Sequence, residues 1–159
     1  MSYGLRAALI AAILSATPAI LQSQEIPNPY SEYYGTVERV VDGDTFVVRI
    51  DLWPGLQTTY SVRARGIEAP ELRGANCPQE KLWAEEARAQ AEKLYPVGSI
   101  VRIDNVELDS FGRAVADVRR WVSDRWKYFA EEMTERDMAV VWTLNDPDID
   151  WCGLAVTRE

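Results

Sequence analysis

Apolar positions divide the chain into an apolar head, a polar connector and a patterned body. Residues 7–21 are apolar apart from Ser15, Thr17 and Pro18. The stretch from Gln24 to Ser31 is polar and carries Pro27 and Pro29, which reads as a linker or extended arm running to residue 34. From Gly35 to Val41 the apolar residues alternate enough for a strand, with Val37 and either Val40 or Val41 turned inward. Asp42-Gly43-Asp44 is a turn. Thr45 to Leu52 is β-branched and aromatic, with Phe46, Val48 and Ile50 on one face. Pro54-Gly55 turns the chain into a third strand, Thr58 to Ile67, and the three strands form an antiparallel meander.

Periodicity then changes. Pro78 starts a helix with Glu80 in its first turn. Trp83, Ala87, Ala91 and Leu94 recur at i, i+4, i+8 and i+11, the spacing of one helical face. Pro96 and Gly98 stop it. Alternation returns for a fourth strand, Ser99 to Val106, and a fifth, Arg113 to Trp121. Ser123 or Asp124 is placed to cap a second helix, whose apolar face is Trp126, Phe129, Ala130 and Met133. After Val141 the pattern is irregular. The elements predict an α+β chain, mainly β: a five-stranded barrel of the oligonucleotide-binding (OB) type, partly open, with two or three helices packed outside it. An α/β sandwich of the same elements is the alternative architecture.

Length and composition narrow the chemistry. At 159 residues, 47% hydrophobic and 26% charged, the chain is one domain with material for a packed core. It has no histidine, which excludes a Ser-His-Asp triad, a histidine base and histidine-bound zinc. Acid–base work falls to carboxylates, Lys, Tyr or water polarised by Arg. The net charge of −8 runs against the basic surface usual in nucleic-acid binders.

The head, residues 1–23, reads as a signal peptide, with Arg6 as its one positive charge and 15 apolar-run residues, short of the roughly 20 that span a bilayer. Cleavage after Ala19 or after Ser23 both fit, and an uncleaved N-terminal anchor is the alternative. Removing residues 1–23 takes one basic residue from 17 and moves the net charge from −8 to −9. A secreted or periplasmic location follows, with no membrane association after cleavage. Export exposes the only two cysteines, Cys77 and Cys152, to oxidising conditions, and a disulfide between them is expected.

Charged residues concentrate in Arg63-Ala-Arg-Gly-Ile-Glu-Ala-Pro-Glu71, at the end of the third strand. Two further charged spots, Val41-Asp-Gly-Asp-Thr45 and Asp109-Ser-Phe-Gly-Arg113, complete the candidate chemistry. Phosphodiester hydrolysis needs a cation to neutralise phosphate, a base for water and donors where charge grows on the phosphoryl oxygens. Asp44, Glu68 and Glu71 are hard oxygen ligands suited to Ca²⁺ or Mg²⁺. Arg63 and Arg113 are planar donors for phosphoryl oxygens. Arg63 and Arg65 stand at i and i+2 of one strand, and spacing does not decide which one leads. Taken singly, Asp42-Gly-Asp44 and Phe111-Gly-Arg113 are ordinary turns, with Asp109 capping the second.

On these motifs, together with Gly74-Ala-Asn-Cys-Pro-Gln-Glu80 and Asp150-Trp-Cys-Gly153, the chain resembles the staphylococcal nuclease (thermonuclease) family in its exported bacterial form. The resemblance spans residues 35–153, leaving 154–159 as a C-terminal tail. It implies the five-stranded OB-type barrel and an endonuclease-type hydrolase of low base specificity acting on DNA or RNA, leaving 3′-phosphate and 5′-hydroxyl ends. It implies Ca²⁺, with Mg²⁺ as a further possibility, on Asp44, Glu68 and the backbone carbonyl of Ala69. It assigns Glu71 to the attacking water and Arg63 and Arg113 to the phosphate, which resolves the choice between Arg63 and Arg65. Trp142 and Tyr60 are candidates to stack a base of a single-stranded substrate, with core packing as the alternative.

Four departures stand out. Glu68 occupies a position where the family usually has Asp. Ser110 replaces a residue that is often basic. The family's third, C-terminal helix has no counterpart in the pattern, and the Cys77–Cys152 bond is expected to pin the tail instead. The chain is acidic, so substrate binding is expected to be weak and salt-sensitive. A monomer with no obligate protein partner is expected, and a catalytically silent OB-type module of the cell envelope, binding nucleic acid or protein, is the alternative to the enzyme.

Overall fold

The computed structural model describes residues 32–156. The expected signal or anchor (1–23), most of the expected linker and the last three tail residues lie outside the described residues. In chain order the elements are β1 (Glu32–Val40), β2 (Thr45–Trp53), β3 (Leu56–Ala64), β4 (Ile67–Glu68), α1 (Pro78–Leu94), β5 (Ile100–Leu108), β6 (Ala114–Val122), β7 (Arg125–Tyr128), α2 (Phe129–Thr134), β8 (Val140–Val141) and α3 (Trp151–Val156). Among the described residues no helix is long and apolar enough to cross a membrane.

The expected meander is present: β2 pairs antiparallel with both β1 and β3. β1 also pairs with β5, and β5 with β6. A parallel pairing of β3 with β6, with Val62 opposite Ala114 and Ala64 opposite Ala116, closes the sheet into a five-stranded barrel. The OB-like α+β fold, with three helices, is therefore observed. Inward positions follow the alternation of the strands: Val37, Phe46, Val48, Val62, Val101, Ile103 and Val118 are buried. A bulge between Val37 and Arg39 shifts the register of β1, so it is Val40 that is buried rather than Val41. Phe46 meets Phe129 and Tyr95 at ring distances of 4.6 and 5.6 Å. This aromatic trio joins the barrel to α1 and α2, and removing a ring of this kind costs about 3–5 kcal/mol.

Helix α1 buries Trp83, Ala87, Ala91 and Leu94, the face read from the spacing. Pro78 sits in its first turn and Cys77 is its N-cap. Cys77 is bonded to Cys152, with Cα atoms 6.1 Å apart, so the expected disulfide is present. The bond ties the start of α1 to α3, where Trp83 and Trp151 pack edge to face at 5.0 Å. A loop of this length is worth about 4–5 kcal/mol in the chain-entropy account.

Several expectations are corrected. β1 begins at Glu32, so residues 32–34 of the expected linker are strand. Ser123 and Asp124 do not cap a helix. Both have positive φ, 49° and 62°, and they form the tight turn between β6 and β7. Trp126 belongs to β7, opposite Trp121, with the rings 5.2 Å apart. Its helical spacing to Phe129 was overridden by this cross-strand pair, and α2 starts only at Phe129. The third strand stops at Ala64, and Ile67–Glu68 instead forms a short ribbon with Val140–Val141. The C-terminal stretch is not wholly irregular: residues 151–156 are helix, covering part of the expected tail.

Candidate active site

The site gathers where three turns meet: between β1 and β2, after β3, and between β5 and β6. The first is Asp42-Gly43-Asp44. Val41 and Ala64 donate their N–H groups to Thr45 O and Asp44 O at 2.8 Å, locking the turn to its neighbours. A Cβ on Gly43 would lie 2.6 Å from that of Ala69 and 2.9 Å from that of Ala87. Only glycine lets this turn lie flush against α1 and the segment after β4. Asp44 is thereby buried, 3% exposed. Its Oδ1 accepts from the Thr45 hydroxyl at 2.8 Å, and its Oδ2 accepts from the Ala69 N–H at 3.2 Å.

The second turn follows β3. Arg63 lies opposite Thr45 in the β2–β3 ladder, and its guanidinium bridges two carboxylates, reaching Asp44 Oδ2 at 2.9 Å and Glu68 Oε2 at 2.5 Å. Arg65 goes elsewhere: it donates to Asn105 O at 2.6 Å and Val115 O at 3.1 Å and pairs with Glu107 at 3.2 Å. Of the two arginines left open by spacing, Arg63 therefore joins the carboxylates. Glu68 is held by the β4–β8 ribbon, opposite Val140, and Ala69-Pro70 leads the main chain on to Glu71.

The third turn precedes β6. Asp109 Oδ1 accepts the N–H groups of Phe111 and Arg113, both at 2.9 Å, and Oδ2 accepts Arg113 Nε at 2.8 Å. Gly112 has a φ of 77°, which the turn requires and which few other residues adopt. Some desolvation acts against the Asp109 carboxylate, but the bonds from the Arg113 side chain and the two backbone amides outweigh it and hold its pKa low. The parallel β3–β6 pairing sets Arg63 beside Val115. It thus brings Arg113 close enough for its charge to act on Glu68 and Glu71.

The electrostatics of the cluster are unbalanced. Burial pushes the Asp44 carboxyl up to about 7 despite the pull of Arg63, and Asp42 adds to the rise. Burial likewise raises Glu68 and Glu71, with Arg63 and Arg113 opposing; Glu71 adds to the rise at Glu68, Asp42 and Glu80 to that at Glu71. Burial also works against the charge on Arg63, but the surrounding carboxylates outweigh it and keep it protonated. Five carboxylates (Asp42, Asp44, Glu68, Glu71, Asp109) thus face two guanidiniums (Arg63, Arg113). Hard oxygen donors with an excess of negative charge, one of them nearly buried, fit a divalent cation such as Ca²⁺ or Mg²⁺. A second carboxylate-bearing group, Cys77, Glu80 and Cys152, has its sulfurs bonded to each other and is not a calcium-type donor set.

Of the expected site residues, Asp44, Arg63, Glu68, Ala69, Glu71 and Arg113 are brought together. Tyr60 is not: it lies opposite the buried Val48, on the face of β3 away from Arg63. Trp142 is half-buried beside the second turn, its N–H on Gly66 O at 3.0 Å and its ring Nε1 on Pro147 O at 3.1 Å. Two participants were not anticipated. Thr45 supplies its hydroxyl to Asp44, and Glu80, 1% exposed, accepts the Glu71 N–H at 3.4 Å. The spacing Cys77-x-x-Glu80, that of an N-cap and its N3 carboxylate, was the available signal for the second.

Comparison with known proteins bears on the chain's family. The profile of the family described as staphylococcal nuclease homologue matches residues 61–150, a span that holds Arg63, Glu68, Glu71 and Arg113. An uncharacterized protein of Methanocaldococcus jannaschii is 28% identical over 136 residues, 73% of this chain and 62% of that protein. The probable endonuclease LCL3 of Zygosaccharomyces rouxii and that of Eremothecium gossypii are each 32% identical over 84 residues, 53% of this chain and 30% of theirs. The chain therefore spans less than two thirds of the length of each of these relatives.

Proposed function

This chain belongs to the staphylococcal nuclease homologue family, and from that premise we propose that it is an exported, metal-dependent nuclease that hydrolyses phosphodiester bonds of single-stranded DNA or RNA with little base preference. The observation that carries the proposal is the sharing of Arg63 between Asp44 and Glu68, with Glu71 and Arg113 within electrostatic reach. Asp44, Glu68 and the Ala69 carbonyl would hold Ca²⁺ or Mg²⁺, which when bound supplies neutralising charge for the phosphate.

The chain's own groups would do the rest. Glu71, its carboxyl raised by burial, would orient water and accept its proton. Arg63 and Arg113 would bind the phosphoryl oxygens and stabilise the charge that grows on them in the transition state. A bond would form from water oxygen to phosphorus as the bond to the 5′ oxygen breaks, and the 5′ oxygen would take up a proton from solvent, leaving 3′-phosphate and 5′-hydroxyl ends. The apolar run at residues 7–21 and the Cys77–Cys152 bond fit export, which the N-terminal residue of secreted or periplasmic material checks.

The test is cleavage of single-stranded DNA by the folded protein with Ca²⁺ and with EDTA, and analysis of the ends. Chelator-sensitive cleavage leaving 3′-phosphates is expected. A folded sample with no chelator-sensitive cleavage would overturn the proposal.

A further inference from the structure

The mechanism above leaves unused a buried carboxylate that is bonded to the main chain of Glu71. Glu80 lies in the first turn of α1 and is 1% exposed. Its Oε2 accepts the Asn76 N–H at 2.6 Å and its Oε1 accepts the Glu71 N–H at 3.4 Å. Its own N–H donates to Cys77 Sγ at 3.4 Å. Cys152 Sγ, which has no proton to donate in a disulfide, lies 3.9 Å from Oε2. Helix capping alone would require only a reciprocal bond between N-cap and N3. Here the carboxylate reaches past the cap, to a residue nine positions back, and it does so behind a disulfide that brings α3 over it.

The segment it holds is the one that presents Glu71. Residues 71–77 form no strand or helix, and most of them are exposed. The disulfide and the Trp83–Trp151 contact keep α3 over Glu80, and exclusion of water strengthens charge-assisted bonds to its carboxylate. We propose that Glu80 is a positioning residue which, behind the Cys77–Cys152 bond, fixes the main chain at Glu71, so that cleavage depends on the oxidation state of that bond. This presupposes the nuclease function proposed above. Reduction by a dithiol moves two electrons and two protons onto the sulfurs, giving two thiols and a cyclic disulfide of the reagent. With α3 no longer tethered, water reaches Glu80 and competes for its carboxylate.

The test compares the parent, E80Q, the double variant Cys77→Ser/Cys152→Ser and the two combined, all confirmed folded at the assay temperature. Ser at position 77 keeps an N-cap oxygen, so the double variant removes the covalent bond and little else. Gln at position 80 keeps the volume and one acceptor but no longer satisfies both amides. Two readouts are taken: hydrogen exchange at the Glu71 and Asn76 amides, and kcat and KM for Ca²⁺-dependent cleavage of single-stranded DNA.

E80Q and the double variant are each expected to speed exchange at both amides about tenfold and to lower kcat about tenfold with KM little changed, as small misplacements of a catalytic group do. The combined variant should be little worse than either, because both changes release one element. Dithiol treatment of the parent should reproduce the double variant. Parental exchange rates in E80Q, or effects that multiply, would overturn the proposal. If the parent cleaves nothing, the nuclease function fails and the exchange rates alone decide whether Glu80 and the disulfide hold the segment.

Discussion

Two clusters in this molecule set guanidinium groups against buried carboxylates, and they end with opposite electrostatics. At the foot of the barrel, Arg120 grips Glu132 with two bonds, at 2.8 and 2.6 Å, and donates a third to Leu94 O at 3.0 Å. The Tyr95 hydroxyl adds a bond to Glu132 at 3.3 Å. Burial pushes the Glu132 carboxyl up, but these bonds and the charge of Arg120 outweigh it and hold its pKa low. At the other cluster a single guanidinium, Arg63, serves both Asp44 and Glu68, and burial raises Asp44, Glu68 and Glu71 alike. Both are shielded from solvent, Glu132 2% exposed and Asp44 3%, but Asp44 is the more deeply enclosed of the two and shares its only guanidinium. Depth and stoichiometry act together: a shallow carboxylate with its own partner is neutralised, and deep carboxylates with too few partners keep an excess of negative charge.

The contrast breaks hardest at the balanced cluster. Glu132→Ala strands Arg120 with its charge half-buried, and removing one partner of a buried pair costs about 3–5 kcal/mol. Urea denaturation should show that loss, while kcat of the protein that remains folded should be unchanged. At the unbalanced cluster the expectation reverses. Arg63→Ala should lower kcat about 10²–10³-fold at saturating Ca²⁺, the usual result of removing one transition-state donor. Cleavage within tenfold of the parent would show that Arg63 only balances charge.

How much of this was legible in the sequence differs between the clusters. The barrel strands could be read because Phe46, Val48 and Ile50 alternate, and α1 because Pro78 opens it and Trp83, Ala87, Ala91 and Leu94 repeat. The six residues that meet at the unbalanced cluster lie in compact motifs, and the resemblance named each of them. The balanced cluster was invisible, because Arg120 and Glu132 are joined only by the β6–β7 hairpin. That hairpin was misread where Trp126 fell on a helical spacing. The parallel closure of β3 on β6 leaves no local trace either, yet it delivers Arg113. Arg65 shows the limit of alternation: it sits two residues from Arg63 but turns to Asn105 and Glu107.

pH should separate the clusters next, through stability of the chelator-treated protein. The folded state binds a proton at Asp44 more tightly than the unfolded state does, so this carboxylate removes stability as pH rises from about 4 to about 7. Glu132 has the opposite sign: its lowered pKa contributes stability at neutral pH that is lost as pH falls through and below its ordinary range. Asp44→Asn should flatten the first slope and leave the second. At pH 8 without metal it should be as stable as the parent, or more so by about 1–2 kcal/mol, because it removes a charge that burial penalises. The same variant should lose cleavage. A variant clearly less stable than the parent at pH 8 would mean that Arg63 already satisfies Asp44.

The finest test falls on Glu68, which is both the partner of Arg63 and an expected cation ligand. Its backbone is held by the β4–β8 ribbon, so Glu68→Gln keeps the length and place of the side chain and removes its charge. The Arg63 contact, 2.5 Å in the parent, should lose its ionic character, and Ca²⁺ affinity should fall about tenfold, because affinity for a hard cation follows the charge of its ligands. Affinity is read from the Ca²⁺ concentration that half-saturates a shift in thermal unfolding, so the measurement does not depend on cleavage. Unchanged half-saturation would make Glu68 a partner of Arg63 alone. The cluster would then hold one fewer ligand and one more structural pair, and the two regions would differ less than their carboxylates indicate.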